Sequence, residues 1–138
     1  MSFLTHEGSK QQIVGQAEIL PCLMARLICG QRLTGRAALN YVDNEAARFA
    51  LIKGGSPTMD SAWLAMSFWR ADSDLLCHSW FERVPSASNI SDGPSRGADI
   101  DPVRLSDRIT LQPKRVDIPP HLENELLEEW SGRVRQEW

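Results

Sequence analysis

Apolar residues recur along this chain with two different periods. From Ala17 onward, Leu20, Leu23, Met24, Leu27 and Ile28 stand three and four apart and Gly30 follows, which predicts an amphipathic helix. Pro21 fits only the first turn of such a helix, so the expected start lies at Glu18 and "QQIV" upstream reads as the end of a strand. "RAALNYVDN" alternates with period two instead. Leu39, Tyr41 and Asp43 share one face, Ala38, Asn40 and Val42 the other, and the strand ends at Asp43. Asn44 suits the N-cap of "EAARFALIKG", whose Ala47, Ala50 and Leu51 form a stripe and whose Gly54-Gly55 pair stops it.

After the start signal "SPT", Trp63, Met66 and Phe68 or Trp69 repeat helically, predicting a third helix from about Asp60 to Ala71. "LLCHSWFERV" is the second clear strand, ended by Pro85. "PSASNISDGPSRG" reads as a loop with at most a short helical turn around Asp92. Beyond Gly97 the scattered prolines and mixed charges predict an extended linker or a wrapped tail. A last helix, His121 to about Gln136, places Leu122, Leu126, Trp130 and Val134 four apart, acids early and arginines late. Trp130 and Trp138 suggest that this helix docks on the domain or on a neighbour. The expected organisation is one domain over residues 1–97 and a linker with an amphipathic helix over 98–138.

A length of 138 residues suits a single core, and a formal net charge of -3 gives no overall basic footprint for nucleic acid. Any such binding has to come from a local patch. Cys22, Cys29 and Cys77 lack both CxxC spacing and His partners at zinc-ligand distance, so we read them as reduced thiols on buried faces of an intracellular protein of cytoplasm or nucleus. No apolar run approaches the ~20 residues needed to span a bilayer, and "MSFLTHEGSK" lacks the order of a signal peptide.

Three acids stand at the ends of elements: Glu18, Asp43 and Asp92. Hard cations such as Mg2+ take oxygen ligands gathered from separate elements, and a helix start, a strand end and a loop supply them. The same residues also serve without a metal. Glu at a helix start complements the dipole, and Asp before Asn-Glu makes a turn. Spacing alone does not choose between the two.

"GQAEILPCLMA", "LTGRAALNYVDNEAARFALIKGGS" and "WFERVPSASNISDGPSRG" resemble, in this order, the ribonuclease H-like domain of retroelement reverse-transcriptase polyproteins. The likeness runs from about Gln11 to Gly97, and its last motif is the most specific. It implies an α/β fold with a mixed sheet flanked by helices, and it makes Glu18, Asp43 and Asp92 the catalytic metal ligands. Arg83, Asn89 and Arg96, in or beside the last motif, become candidates for nucleic-acid contact. The cofactor implied is Mg2+ or Mn2+, with two ions about 4 Å apart activating a water and stabilising the leaving oxygen. The substrate implied is the RNA strand of an RNA:DNA hybrid, told from DNA by its 2′-OH, and the implied partner is a reverse transcriptase domain of the same polyprotein.

The family's first catalytic Asp lies on the first strand of its sheet, whereas no Asp precedes Glu18 here, so the expectation is a fold lacking its N-terminal strands. The loop from Ser86 to Ser91 also carries no His, unlike many cellular members. A metal-dependent endonuclease is therefore set against a non-catalytic remnant that serves as a binding module. Among the other residues, His78 reads as structural, Trp80 and Phe81 as core, and Arg48 with Lys53 as a solvated edge.

Overall fold

A computed structural model describes residues 10–95, 103–111, 114 and 116–136. The chain forms two compact units, one of residues 1–83 with 118–138, the other of residues 84–117. The class is mixed α/β, with five helices and a two-stranded parallel sheet among the described residues.

In the first unit, α1 runs Lys10–Leu33, β1 Ala37–Val42, α2 Glu45–Lys53, α3 Met59–Asp74 and β2 His78–Arg83. The last helix of the chain, Pro120–Gln136, belongs here too. β1 and β2 are parallel, in register from Ala37 against His78 to Val42 against Arg83, so both strands end at one edge. α2 and α3 make the crossover between them.

α1 departs from the expected start. It begins before Gln11, so "QQIV" is helical, Pro21 lies inside the helix, and Glu18 stands more than two turns in rather than at the N-terminus. Proline costs about 3 kcal/mol in a helix interior. Burial on both sides of it outweighs that: Gln16, Ile19, Leu20, Leu23 and Met24 are all buried. Gln16 also donates from Nε2 to Asp60 Oδ2 at 3.3 Å.

α1 and α3 lie side by side and parallel, because Gln16 meets Asp60, Arg26 meets Asp72 and Gly30 meets Leu75 in the same order along both. The core joins Ile19 and Leu23 to Leu51, Phe68, Val42 and Phe81, and Phe68 is fully buried edge-on to both Trp69 and Phe81. Arg26 and Asp72 form a buried ion pair inside this layer, Nε to Oδ1 3.0 Å. Arg26 further donates from Nη2 to Ser79 Oγ at 2.8 Å and lies over the Phe68 ring, 4.6 Å from its centroid.

Among the described residues, only one face of the sheet is covered. Val42 and Phe81 are buried, whereas Leu39, Tyr41 and Trp80 on the other face are 52%, 64% and 66% exposed. Trp80 is thus not a core residue, and Phe81 is. Cys77 is buried and Cys22 half-buried, but Cys29 is exposed on α1, contrary to the expectation for all three thiols.

The last helix runs as its spacing predicts, and Leu126 packs against the core. A cleft of about 170 Å³ separates it from α1 and α3, with Leu23, Leu27, Ala71 and Leu122 in its walls. The side chain of Trp130, and Trp138 as a whole, lie outside the described residues.

In the second unit a 3-10 turn, Ser86–Ser88, leads to the single turn α4, Asp92–Ser95. The segment expected to be an extended linker holds an antiparallel hairpin, β3 Val103–Ser106 with β4 Ile109–Leu111. No described helix is long and apolar enough to cross a membrane.

Candidate functional site

β1 runs out of apolar residues at Val42, and the chain must turn to begin α2 at the edge where both parallel strands end. In open α/β sheets this carboxyl edge is where ligands bind. Asp43 is the first residue past the strand and is half-buried. Its position is held from the next residue on: Asn44, in extended conformation, accepts from Ala47 N through Oδ1 at 2.9 Å and starts α2. The cap and the strand end predicted from sequence both stand where expected.

Glu18 reaches the same level by a different route. α1 reverses into β1 through the short turn Thr34–Arg36, whose Gly35, at φ 68°, donates its amide to Leu75 O at 3.0 Å. β1 spans about 20 Å at 3.3 Å per residue, and α1 rises about 22 Å between Leu33 and Glu18 at 1.5 Å per residue. Glu18, half-buried, therefore lies along the helix at about the height of Asp43, although it is not a helix start.

Asp60, in the first turn of α3, stands at this end as well, since its partner Gln16 is two residues from Glu18. Sequence reading passed over it. The available signal was its place two residues after the "SPT" start, on a helix that begins where the strands end.

The charged rim beside Asp43 is paired. Glu45 Oε1 lies 3.2 Å from Arg48 Nη1, and Glu45 Oε2 lies 3.6 Å from Arg83 Nε. Arg48 also donates from Nε to Phe81 O at 3.3 Å, so it braces α2 against β2 and is more than the solvated edge expected of it. Arg83 remains 65% exposed in its side chain, and an exposed pair of this kind is worth only about 0–1 kcal/mol.

The second unit carries Asn89 and Asp92. Asn89 Oδ1 accepts from Ser91 N at 3.1 Å and from Ser91 Oγ at 2.7 Å, a local turn that leads into α4. Asp92 opens α4, and its amide donates to Asn89 O at 3.2 Å. Arg96 lies outside the described residues.

Glu18 and Asp43 are hard oxygen donors on separate elements at one end of the first unit, and Mg2+ is commonly held by one or two carboxylates together with substrate phosphates. On that chemistry they fit such an ion. Within either unit, no three His, Cys, Asp or Glu among the described residues are gathered as a ready-made metal site. No protein-family model, no curated protein and no solved structure matches this chain.

Proposed function

We propose that this chain is a ribonuclease H-like, metal-dependent endonuclease of a retroelement (retrotransposon), a hydrolase acting on the RNA strand of RNA:DNA hybrids. The observation that carries the reading is Asp43, which leaves β1 at the carboxyl edge of a parallel strand pair, with Glu18 two residues from the Gln16 that bonds Asp60 in the first turn of α3. The motif around Asp92 supplies the third carboxylate of the proposal.

In this proposal Glu18 and Asp43 would hold Mg2+ or Mn2+, and the bound ion would supply a polarised water and charge stabilisation at the leaving oxygen; Asp92 enters as a ligand through its motif alone. The chain's own part is positioning. Asn44 anchors the turn that carries Asp43, and the turn of Asn89 presets the start of α4 at Asp92. Arg83 exchanges its weak bond to Glu45 for a backbone phosphate, with Asn89 and Arg96 as further contacts in the proposal.

The test is cleavage of an end-labelled RNA:DNA hybrid with Mg2+ and with Mn2+, beside an all-DNA duplex. Cleavage of the hybrid alone, lost in Glu18→Gln, Asp43→Asn and Asp92→Asn variants that melt like the parent, supports the assignment. Cleavage that persists in all three variants rejects it.

The second reading, a non-catalytic module that binds a partner such as a reverse transcriptase domain, is favoured by the uncovered face of Leu39, Tyr41 and Trp80. It predicts hybrid or protein binding without cleavage under either metal.

A further inference from the structure

The cleft between α1, α3 and the last helix lies within the first unit, towards the end of α3 opposite Asp60. Its walls are apolar: Leu23 is buried, Leu122 and Leu126 are half-buried, and Leu27 is exposed at the lip. Its rim is charged, with Arg70 and Asp74 on α3 and Glu125 and Glu129 on the last helix, all four exposed. Among the described residues no ion pair engages any of them. Three carboxylates against one guanidinium leave the mouth negative.

We infer that this cleft takes one apolar side chain from a basic segment of another protein, an anchor residue flanked by Lys or Arg. Size selects the anchor. A volume of about 170 Å³ falls below the roughly 300–1,000 Å³ of small-molecule sites and is close to the ~150 Å³ of an apolar cavity that holds a benzene ring. Charge selects the flanks. A cation arriving at this rim displaces no ion pair and relieves the repulsion among the acids. The same rim repels phosphate, which sets nucleic acid aside, and a second copy, with a formal net charge of -3, is repelled as well.

An apolar anchor seated in a pocket with a polar surround is how a few residues carry most of an interface's binding energy. The cleft shares no residue with the carboxyl edge or the uncovered sheet face, so its occupancy is independent of nuclease activity.

Fluorescence anisotropy with the whole chain tests this, with circular dichroism as the check on folding and three labelled peptides as probes: Lys-Lys-Phe-Lys-Lys, Lys-Lys-Ser-Lys-Lys and Glu-Glu-Phe-Glu-Glu. The first should bind, and weaken as salt is added. The second should bind roughly tenfold less tightly, because it has no aromatic ring to bury, and the third should not bind. Glu125→Gln with Glu129→Gln should weaken the first about fivefold, two exposed charge contacts being lost. Leu27→Lys, which sets a cation at the lip, should abolish its binding. Glu82→Gln with Glu123→Gln removes as much charge outside the cleft and should leave binding within about twofold. No binding of the phenylalanine peptide at low salt overturns the inference. So does equal binding of the serine peptide, or equal weakening by the two double variants.

Discussion

Removing Asp72 alone should destabilise the first unit far more than removing Asp72 and Arg26 together. The pair is almost wholly inaccessible, with side chains 4% and 1% exposed, and its Nε to Oδ1 distance is 3.0 Å. At an effective dielectric of about 20 and that separation, the attraction is about 5 kcal/mol, and the desolvation of two ions cancels most of it. The pair as a whole therefore adds little net stability. Each half without the other is costly.

Asp72→Ala strands the Arg26 guanidinium in the core, where breaking such a pair costs about 3–5 kcal/mol. Arg26 keeps its bond to Ser79 Oγ and its place over Phe68, which sets the expectation at the lower end, about 3 kcal/mol. Against a domain stability of about 5–15 kcal/mol this is a large shift of the urea midpoint. Arg26→Met with Asp72→Leu replaces both ions by apolar groups of similar bulk and should come within about 1 kcal/mol of the parent, or exceed it. Urea titrations followed by circular dichroism and tryptophan fluorescence give the four corners of the cycle. A loss below about 1 kcal/mol for Asp72→Ala, or a double variant less stable than either single one, would refute the reasoning.

Three further outcomes are expected. Asn44→Ala should cost about 1 kcal/mol through loss of the bond to Ala47 N, while Asp43→Asn next to it leaves the melting temperature unchanged or slightly raised; unfolding of the latter would make Asp43 a structural turn residue. Gly54→Ala should cost about 1–2 kcal/mol by thermal melt, because φ is 66° there and a Cβ comes 3.3 Å from Trp69 Cδ1. Burial, the largest cause, pushes the Cys22 thiol up to about 11 from 9.0, so mass-spectrometric alkylation of the native chain at pH 8 should mark the exposed Cys29 and spare Cys22. The stability held in that neutral thiol is complete below pH 9 and is lost as pH rises towards 11, where the unfolded chain deprotonates first.

Local chemistry was legible wherever it was self-sufficient. The cap at Asn44, the left-handed stop at Gly54, the period-two alternation of β1 and the four-residue spacing of the last helix each depend on a few neighbouring side chains, and each stands as the sequence implies. The end of β1 before Asp43 belongs with them, because a charged residue and a cap in succession leave the strand nowhere to continue. Tertiary contacts decided the rest. Whether a helix can run through Pro21 depends on how much apolar surface on both sides of it finds α3, and only the packed layer of Ile19, Leu23 and Phe68 answers that. Alternation in β1 defines two faces without saying which is buried, and the helices of the crossover settle it in favour of Val42 and against Leu39 and Tyr41. The Arg26–Asp72 pair joins residues 46 apart, and the level shared by Glu18 and Asp43 comes from the reversal of α1 into β1, so neither has a signature in any local stretch of sequence.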